Sequence, residues 1–145
     1  MKKYILTALL VAFFAFLQSC KSDIGKISEA QKAMVFPGVE HAPIYVQYSA
    51  KIILKKPVVI AQIHILNDHK DRALDRYSLV NLDNGAQMDP KKELAPGKYF
   101  FSAQINKSDD FNDKTVDKLM VKFKQAQKVY TFSTQFVKGP TIMHK

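Results

Sequence analysis

Apolar and polar side chains alternate along two neighbouring stretches of the chain with the period of two that is typical of half-buried β-strands. The first stretch covers residues 44–55, and its inward side chains are predicted to be Val46, Tyr48, Ala50, Ile52 and Leu54. The second stretch follows Pro57, and its inward side chains are predicted to be Val59, Ala61, Ile63 and Ile65. This pattern predicts two antiparallel strands joined by a short turn.

Further alternating segments continue toward the C-terminus. Residues 77–82 predict a third strand, which ends at the turn signal Asp83-Asn84-Gly85. Residues 117–124 fit both a strand and a helix, because their apolar side chains satisfy both spacings. We favour a strand there, since the segment leads directly into the alternating residues 130–136.

The segment between these strands carries the pattern Leu94-x-Pro96-Gly97-x-Tyr99-x-Phe101. Proline followed by glycine suits the centre of a type II turn, and the strand that follows would point Tyr99 inward. The pattern resembles immunoglobulin-like sandwich modules, most nearly those of the carboxypeptidase-regulatory type. We therefore predict an all-β fold: a single immunoglobulin-like antiparallel β-sandwich of about six to seven strands over residues 39–145. A lipocalin-like barrel is the alternative, and it needs eight strands.

The N-terminal residues have the layout of an export signal. Lys2 and Lys3 precede residues 4–17, an uncharged and mostly apolar run that is shorter than the ~20 residues needed to span a bilayer. The next residues complete the sequence Leu17-Gln18-Ser19-Cys20, which resembles the lipobox of bacterial lipoproteins. The resemblance implies a signal peptide over residues 1–19, cleavage between Ser19 and Cys20, and a diacylglycerol on the Cys20 thiol.

Residues 20–38 are predicted to form the lipidated N-terminus and a tether. Ser28 and Gln31 have the spacing of a capping box, so the tether is expected to contain one helical turn. Pro37 and Gly38 would end that turn.

The net charge and the cysteine count favour some kinds of partner and exclude some kinds of fold. The 145 residues include 22 basic and 13 acidic side chains, which gives a formal net charge of +9. Removal of residues 1–19 takes away two lysines and leaves +7, which favours contact with anionic lipids or polysaccharides. A single cysteine excludes an internal disulfide framework. No nucleic-acid partner is predicted, because no interleaved aromatic and basic recognition motif occurs.

Two groups of side chains are candidate metal sites. His64, Asp68 and His69 combine imidazole and carboxylate ligands that suit zinc or copper, although their spacing matches no established site. Carboxylates that suit calcium occur in the next long loop, but lysines interleave with them and favour a solvated loop. These are Asp109, Asp110, Asp113 and Asp117. We predict neither a metal nor a cofactor.

Five apolar side chains are predicted on outward strand faces, where a cluster would mark a partner site. They are Tyr45, Ile53, Ile60, Phe100 and Met120. Because no catalytic motif occurs, we predict a non-enzymatic lipoprotein of the cell envelope, anchored in the outer membrane, that binds an envelope protein or an anionic surface polymer. The membrane face stays open. The alternative is a periplasmic module that binds a metal or a small ligand.

Overall fold

A computed structural model describes residues 23–145, and within that range the chain is all-β, as predicted. Ser19 and Cys20, with the predicted cleavage and lipid sites, lie outside the described residues. The strands are β1 (Gly25–Phe36), β2 (Tyr45–Leu54), β3 (Val59–Leu66), β4 (Asp71–Ala73), β5 (Ser78–Asn81), β6 (Gly97–Asn106), β7 (Lys118–Gln125), β8 (Lys128–Gln135), β9 (Val137–Lys138) and β10 (Ile142–Met143).

The strands form two sheets that enclose one core. The first sheet has the order β10-β1-β2-β6-β5, with β9 also paired to β1, and the second has the order β4-β3-β7-β8. Strands β1-β2-β6-β5 and β4-β3-β7-β8 follow the A-B-E-D and C′-C-F-G orders of immunoglobulin-like sandwiches. The predicted fold is therefore confirmed. The described range holds ten strands, not six or seven. The additional strands are β1, which lies in the predicted tether, and β4, β9 and β10, which are only two or three residues long.

The core consists of the inward side chains of both sheets, and it confirms the alternation of β2, β6, β7 and β8. Residues 118–125 form a strand, which agrees with the favoured interpretation of the ambiguous segment. Burying each large apolar side chain contributes roughly 1.5–3 kcal/mol. Large side chains that are fully buried include Tyr48, Tyr99, Phe101, Phe123, Ile24, Ile52, Ile65, Leu79, Leu94 and Leu119.

The predicted tether is wrong from residue 25 onward, since residues 25–36 form β1, a strand paired along its length with β2. Two features obscured the pattern. A register shift between Ser28 and Gln31 breaks the alternation, with Glu29 at a left-handed φ of 52°. A lysine, Lys32, then occupies an inward position between Ala30 and Met34.

A second bulge changes the face assignments in β3. Its register against β7 shifts between Ile60 and Gln62, so Ile60 is buried whereas Ala61 is exposed. The predictions that Ile60 points outward and that Val59 and Ala61 point inward are therefore wrong. An extra residue in one strand reverses the faces on one side of the bulge.

Tyr99 is buried as predicted, and its hydroxyl donates a hydrogen bond to the carbonyl of Ala95 at 2.6 Å. The type II turn is not formed, because Gly97 has an extended φ of 158° and begins β6. A two-way backbone bridge between Leu94 and Val58 holds this segment extended, with N···O distances of 2.7 and 3.1 Å.

The C-terminal residues cover the outer edge of β1. Strands β9 and β10 pair with β1 in parallel, and Gly139 N–H donates to the carbonyl of Lys32 at 2.7 Å. His144 N–H donates to the carbonyl of Phe36 at 3.0 Å. Such covering removes a strand edge that would otherwise be open to pairing with another chain.

Candidate functional site

The candidate metal ligands His64, Asp68 and His69 do not converge in the structure. The Nδ1 atom of His64 lies 2.7 Å from Oδ1 of Asp71 on β4, whereas Asp68 and His69 belong to the turn after β3. That turn is fixed by Asn67, whose Oδ1 accepts hydrogen bonds from the backbone N–H groups of His69 and Lys70. Within residues 23–145, no group of three or more histidine, cysteine, aspartate or glutamate side chains is placed to hold a metal ion.

The four carboxylates of the long β6–β7 loop do not converge either. Asp113 accepts a hydrogen bond from Lys138 at 3.2 Å, and this bond holds the pKa of the Asp113 carboxyl below its ordinary value. Asp117 turns inward and is fully buried, contrary to the prediction of a solvated loop. The loop is therefore folded around an internal charge.

That internal charge is the ammonium group of Lys32, which is only 3% exposed. Its Nζ atom lies 3.1 Å from Oδ2 of Asp117 and donates to the carbonyl of Asn112 at 2.7 Å. It also donates to the carbonyl and the hydroxyl of Thr115. The ammonium group of Lys32 is thus surrounded by oxygen atoms, as a bound metal cation would be.

Asp117 is held by two more donors. The Tyr48 hydroxyl donates to Oδ2 at 2.6 Å, and the Asn67 amide donates to Oδ1 at 3.1 Å. Burial, followed by the hydrogen bond and the charge of Asp117, raises the pKa of Tyr48 well above its ordinary value. Every buried side-chain nitrogen and oxygen of the described residues has a hydrogen-bond partner. This buried network ties the loop to β1, β2 and the turn after β3.

Three loops meet at this end of the sandwich: residues 37–44, 67–70 and 107–117, here called the distal loops. Lys107 N–H donates to the carbonyl of Ile44, and the Asn67 amide donates to the carbonyl of Asp110 at 2.6 Å. The distal loops contain six carboxylates and three lysines. The loops themselves carry more carboxylates than lysines and are internally braced, and three exposed lysines outside them, Lys118, Lys138 and Lys145, lie at the same end.

A cleft of about 390 Å³ opens between two of the distal loops. Most of its lining residues are polar, but Val116 also lines it and is 59% exposed. A polar cleft with an exposed apolar rim suits recognition of a protein or polar ligand better than an acyl chain. The lining residues are Asn67, Asp68, His69, Asp109, Asn112, Lys114, Thr115 and Val116.

The opposite end of the sandwich is rich in lysine. Gly25 pairs with Leu54, and Leu54 pairs with Gly97, so the first residues of β1 and β6 lie beside the turn after β2. The β7–β8 turn lies at the same end of the second sheet, because Lys124 pairs with Val59. This lysine-rich end comprises residues 23–26, 55–58, 82–98 and 124–128. Its eight lysines are all exposed: Lys26, Lys55, Lys56, Lys91, Lys92, Lys98, Lys124 and Lys128.

The predicted outward apolar residues do not form one patch. Tyr45, Ile53 and Phe100 lie on the outer face of the first sheet, and Met120 lies on the outer face of the second. Phe100 is exposed, whereas the other three are half-buried. Ile60, the fifth of the set, is buried. The two sheets thus separate Met120 from the three outward residues of the first sheet.

Comparison with known proteins returns no match: no protein-family model, curated protein or solved structure matches this chain. Among the described residues, no helix has the length and apolar character needed to cross a membrane.

Proposed function

We propose that this chain is a lipid-anchored protein of the bacterial cell envelope that binds a partner protein through its distal loops and catalyses no reaction. The observation that carries this proposal is the placement of the two ends. Asp23 is three residues from Cys20 in the sequence and lies at the lysine-rich end, opposite the distal loops. A lipid on Cys20 would therefore hold the lysine-rich end at the membrane and present the distal loops away from it.

The chemistry of the distal loops supports binding. The two buried charges of this end, Lys32 and Asp117, satisfy one another and are withdrawn from the cleft. What remains at the surface is a braced rim whose carboxylates outnumber its lysines. The cleft carboxylates Asp68 and Asp109 complement basic side chains of a protein partner better than the charged groups of an anionic polymer. We therefore assign the partner at the distal loops as an envelope protein.

The anchor is tested by comparing the parent with Cys20→Ala in cells. We expect the parent to incorporate labelled palmitate and to fractionate with the outer membrane, and the variant to do neither. Proteinase K digestion of intact cells then reports the membrane face: digestion means surface display, and protection until the outer membrane is opened means the periplasm. Unchanged membrane association of Cys20→Ala would rule out the anchor.

The binding surface is tested with a photo-crosslinking amino acid in place of Val116 in the anchored protein. We expect a discrete adduct that is lost when Asp68 and Asp109 are both changed to lysine. The matched control changes Asp83 and Asp89, at the other end, to lysine and should keep the adduct. An adduct that survives charge reversal at the cleft would contradict the assignment, as would a reproducible turnover activity of the purified domain.

A further inference from the structure

We propose that the lysine-rich end docks directly on an anionic phospholipid headgroup layer, so that the anchored sandwich stands in one orientation instead of moving freely on a tether. This inference rests on the proposed lipidation of Cys20. It adds a second membrane contact, made by the folded domain itself.

The first argument is the shortness of the connection. Ile24 is buried, and its carbonyl accepts a hydrogen bond from Lys55 N–H at 2.6 Å. The Asp23 carboxylate lies 3.7 Å from the Lys55 ammonium. Asp23 and Ile24, which contact the sandwich, are only three and four residues from Cys20 in the sequence, and three residues of chain reach about 11 Å at most. A lipid on Cys20 would hold this end within about one Debye length of the headgroups, which is ~8–10 Å at physiological salt.

The second argument is charge complementarity. The lysine-rich end carries eight lysines against four carboxylates, Asp23, Asp83, Asp89 and Glu93. Among the described residues, Lys55 alone of the eight lies within 4.0 Å of a carboxylate. The remaining ammonium groups are available to lipid phosphates. Juxtamembrane lysines are attracted to anionic leaflets in this way.

The third argument is that the surface is amphipathic. Leu82 is 46% exposed beside the turn after β5, and Val129 is 55% exposed next to Lys124 in the sheet register. Apolar side chains among lysines suit the boundary between headgroups and acyl chains. At the opposite end, the carboxylates of the distal loops offset the nearby lysines, so an anionic surface attracts the lysine-rich end more strongly. The charge distribution therefore favours one orientation.

The test uses the mature lipidated protein, which begins at Cys20, reconstituted in vesicles. Because Cys20 is the single cysteine and its thiol would be acylated, a second cysteine can be labelled selectively. Leu82→Cys and Val39→Cys report on the two ends, each with an environment-sensitive fluorophore. In vesicles of phosphatidylcholine mixed with phosphatidylglycerol, we expect the fluorophore at position 82 to be several-fold less accessible to acrylamide than in phosphatidylcholine alone. The fluorophore at position 39 should be equally accessible in both.

Matched variants identify the groups responsible. Changing Lys55, Lys56, Lys124 and Lys128 together to glutamine should abolish the protection at position 82. The control changes Lys70, Lys107, Lys114 and Lys145 to glutamine, which removes the same charge elsewhere and should leave the protection intact. Raising the salt to about 1 M should also abolish it, because the Debye length falls to ~3 Å.

The outcomes separate the two proposals. If the lipidated protein floats with the vesicles but position 82 is equally quenched in both lipid mixtures, docking is wrong and the anchor stands. If mass spectrometry finds Cys20 unacylated in the cell-derived protein, the proposed function fails, and the docking inference fails with it. Protection by a soluble anionic polysaccharide without protection by vesicles would overturn the lipid assignment in favour of a polymer.

Discussion

The two ends of the sandwich handle charge in opposite ways. At the lysine-rich end, the charged side chains are exposed and most of the lysines lack a close carboxylate. At the distal end, a lysine and an aspartate are buried together and hold a long loop in place. Exposed charge acts at a distance and adds little to folding, whereas buried charge acts locally and is costly to disturb. One end is therefore suited to electrostatic attraction and the other to a fixed binding surface.

Substitution of Lys32 should disturb the distal end most. Lys32→Met removes the ammonium group and leaves the Asp117 carboxylate buried with only its tyrosine and amide donors. Breaking a buried pair from one side costs about 3–5 kcal/mol of unfolding free energy. Urea denaturation of residues 21–145, produced without the lipid, measures this loss. The same change at an exposed lysine, Lys98→Met, should stay within ~0.5 kcal/mol.

The double variant Lys32→Met, Asp117→Leu sharpens this prediction. If the cost of the single change comes from an uncompensated charge, removal of both charges should recover part of the lost stability. A double variant that loses more unfolding free energy than the two single variants lose together would contradict this explanation.

Tyr48→Phe should have the next largest effect, because it removes a 2.6 Å hydrogen bond to a buried carboxylate. Hydrogen bonds to charged groups contribute roughly 1.5–3 kcal/mol. The ring itself is retained, so its edge-on contact with Phe136, at a centroid distance of 4.9 Å, is preserved. Urea denaturation at neutral pH measures the loss of unfolding free energy. A loss smaller than the about 0.5–1.5 kcal/mol of a neutral hydrogen bond would contradict the network.

The same variant should alter the alkaline limit of stability. An unfolded tyrosine ionises near pH 10, whereas burial and Asp117 raise the pKa of folded Tyr48 above that value. The folded state therefore keeps a proton that the unfolded state loses. The contribution is intact below about pH 10 and is lost as the pH rises further. Tyr48→Phe should show a shallower fall above pH 10, and an unchanged slope would contradict the assignment.

Tyr99→Phe makes the same chemical change at the lysine-rich end, where the acceptor is the uncharged carbonyl of Ala95. A neutral hydrogen bond contributes about 0.5–1.5 kcal/mol, so this variant should lose less stability than Tyr48→Phe. The two variants measured side by side test whether charge, and not burial alone, distinguishes the ends. Equal losses of unfolding free energy in the two variants would mean that the charge of the acceptor does not distinguish the ends.

The sequence predicted the parts of the fold in which apolar and polar positions alternate without interruption. Strands β2, β6 and β8 are of this kind, and the inward position of Tyr99 followed from the same alternation. The prediction failed where a bulge shifts the phase, as at Ile60, because the face assignment depends on every residue being counted in register.

The distal site was missed for a different reason. The sequence predicts a tether around Lys32 and a solvated loop around Asp117, since isolated charged residues are rarely fully buried. Their pairing joins positions 85 residues apart, and no local spacing records it. The available signal is that Lys32 shares the inward phase of Met34, once residues 25–36 are recognised as a strand. The lysine-rich end was equally hidden, because its lysines come from four separate segments that only the topology brings together.

The smallest effect on folding is expected for the variant in which Lys55, Lys56, Lys124 and Lys128 become glutamine. All four side chains are exposed, and surface changes of this kind stay within about 0.5 kcal/mol each. Removing like charges from one end relieves mutual repulsion, so we expect the thermal unfolding temperature at low salt to be unchanged or slightly higher. A large destabilisation would mean that these lysines support the fold, and loss of vesicle docking in this variant could then no longer be attributed to charge. Unchanged unfolding together with lost docking would assign the two ends their separate roles, with stability in the buried pair and attraction in the exposed lysines.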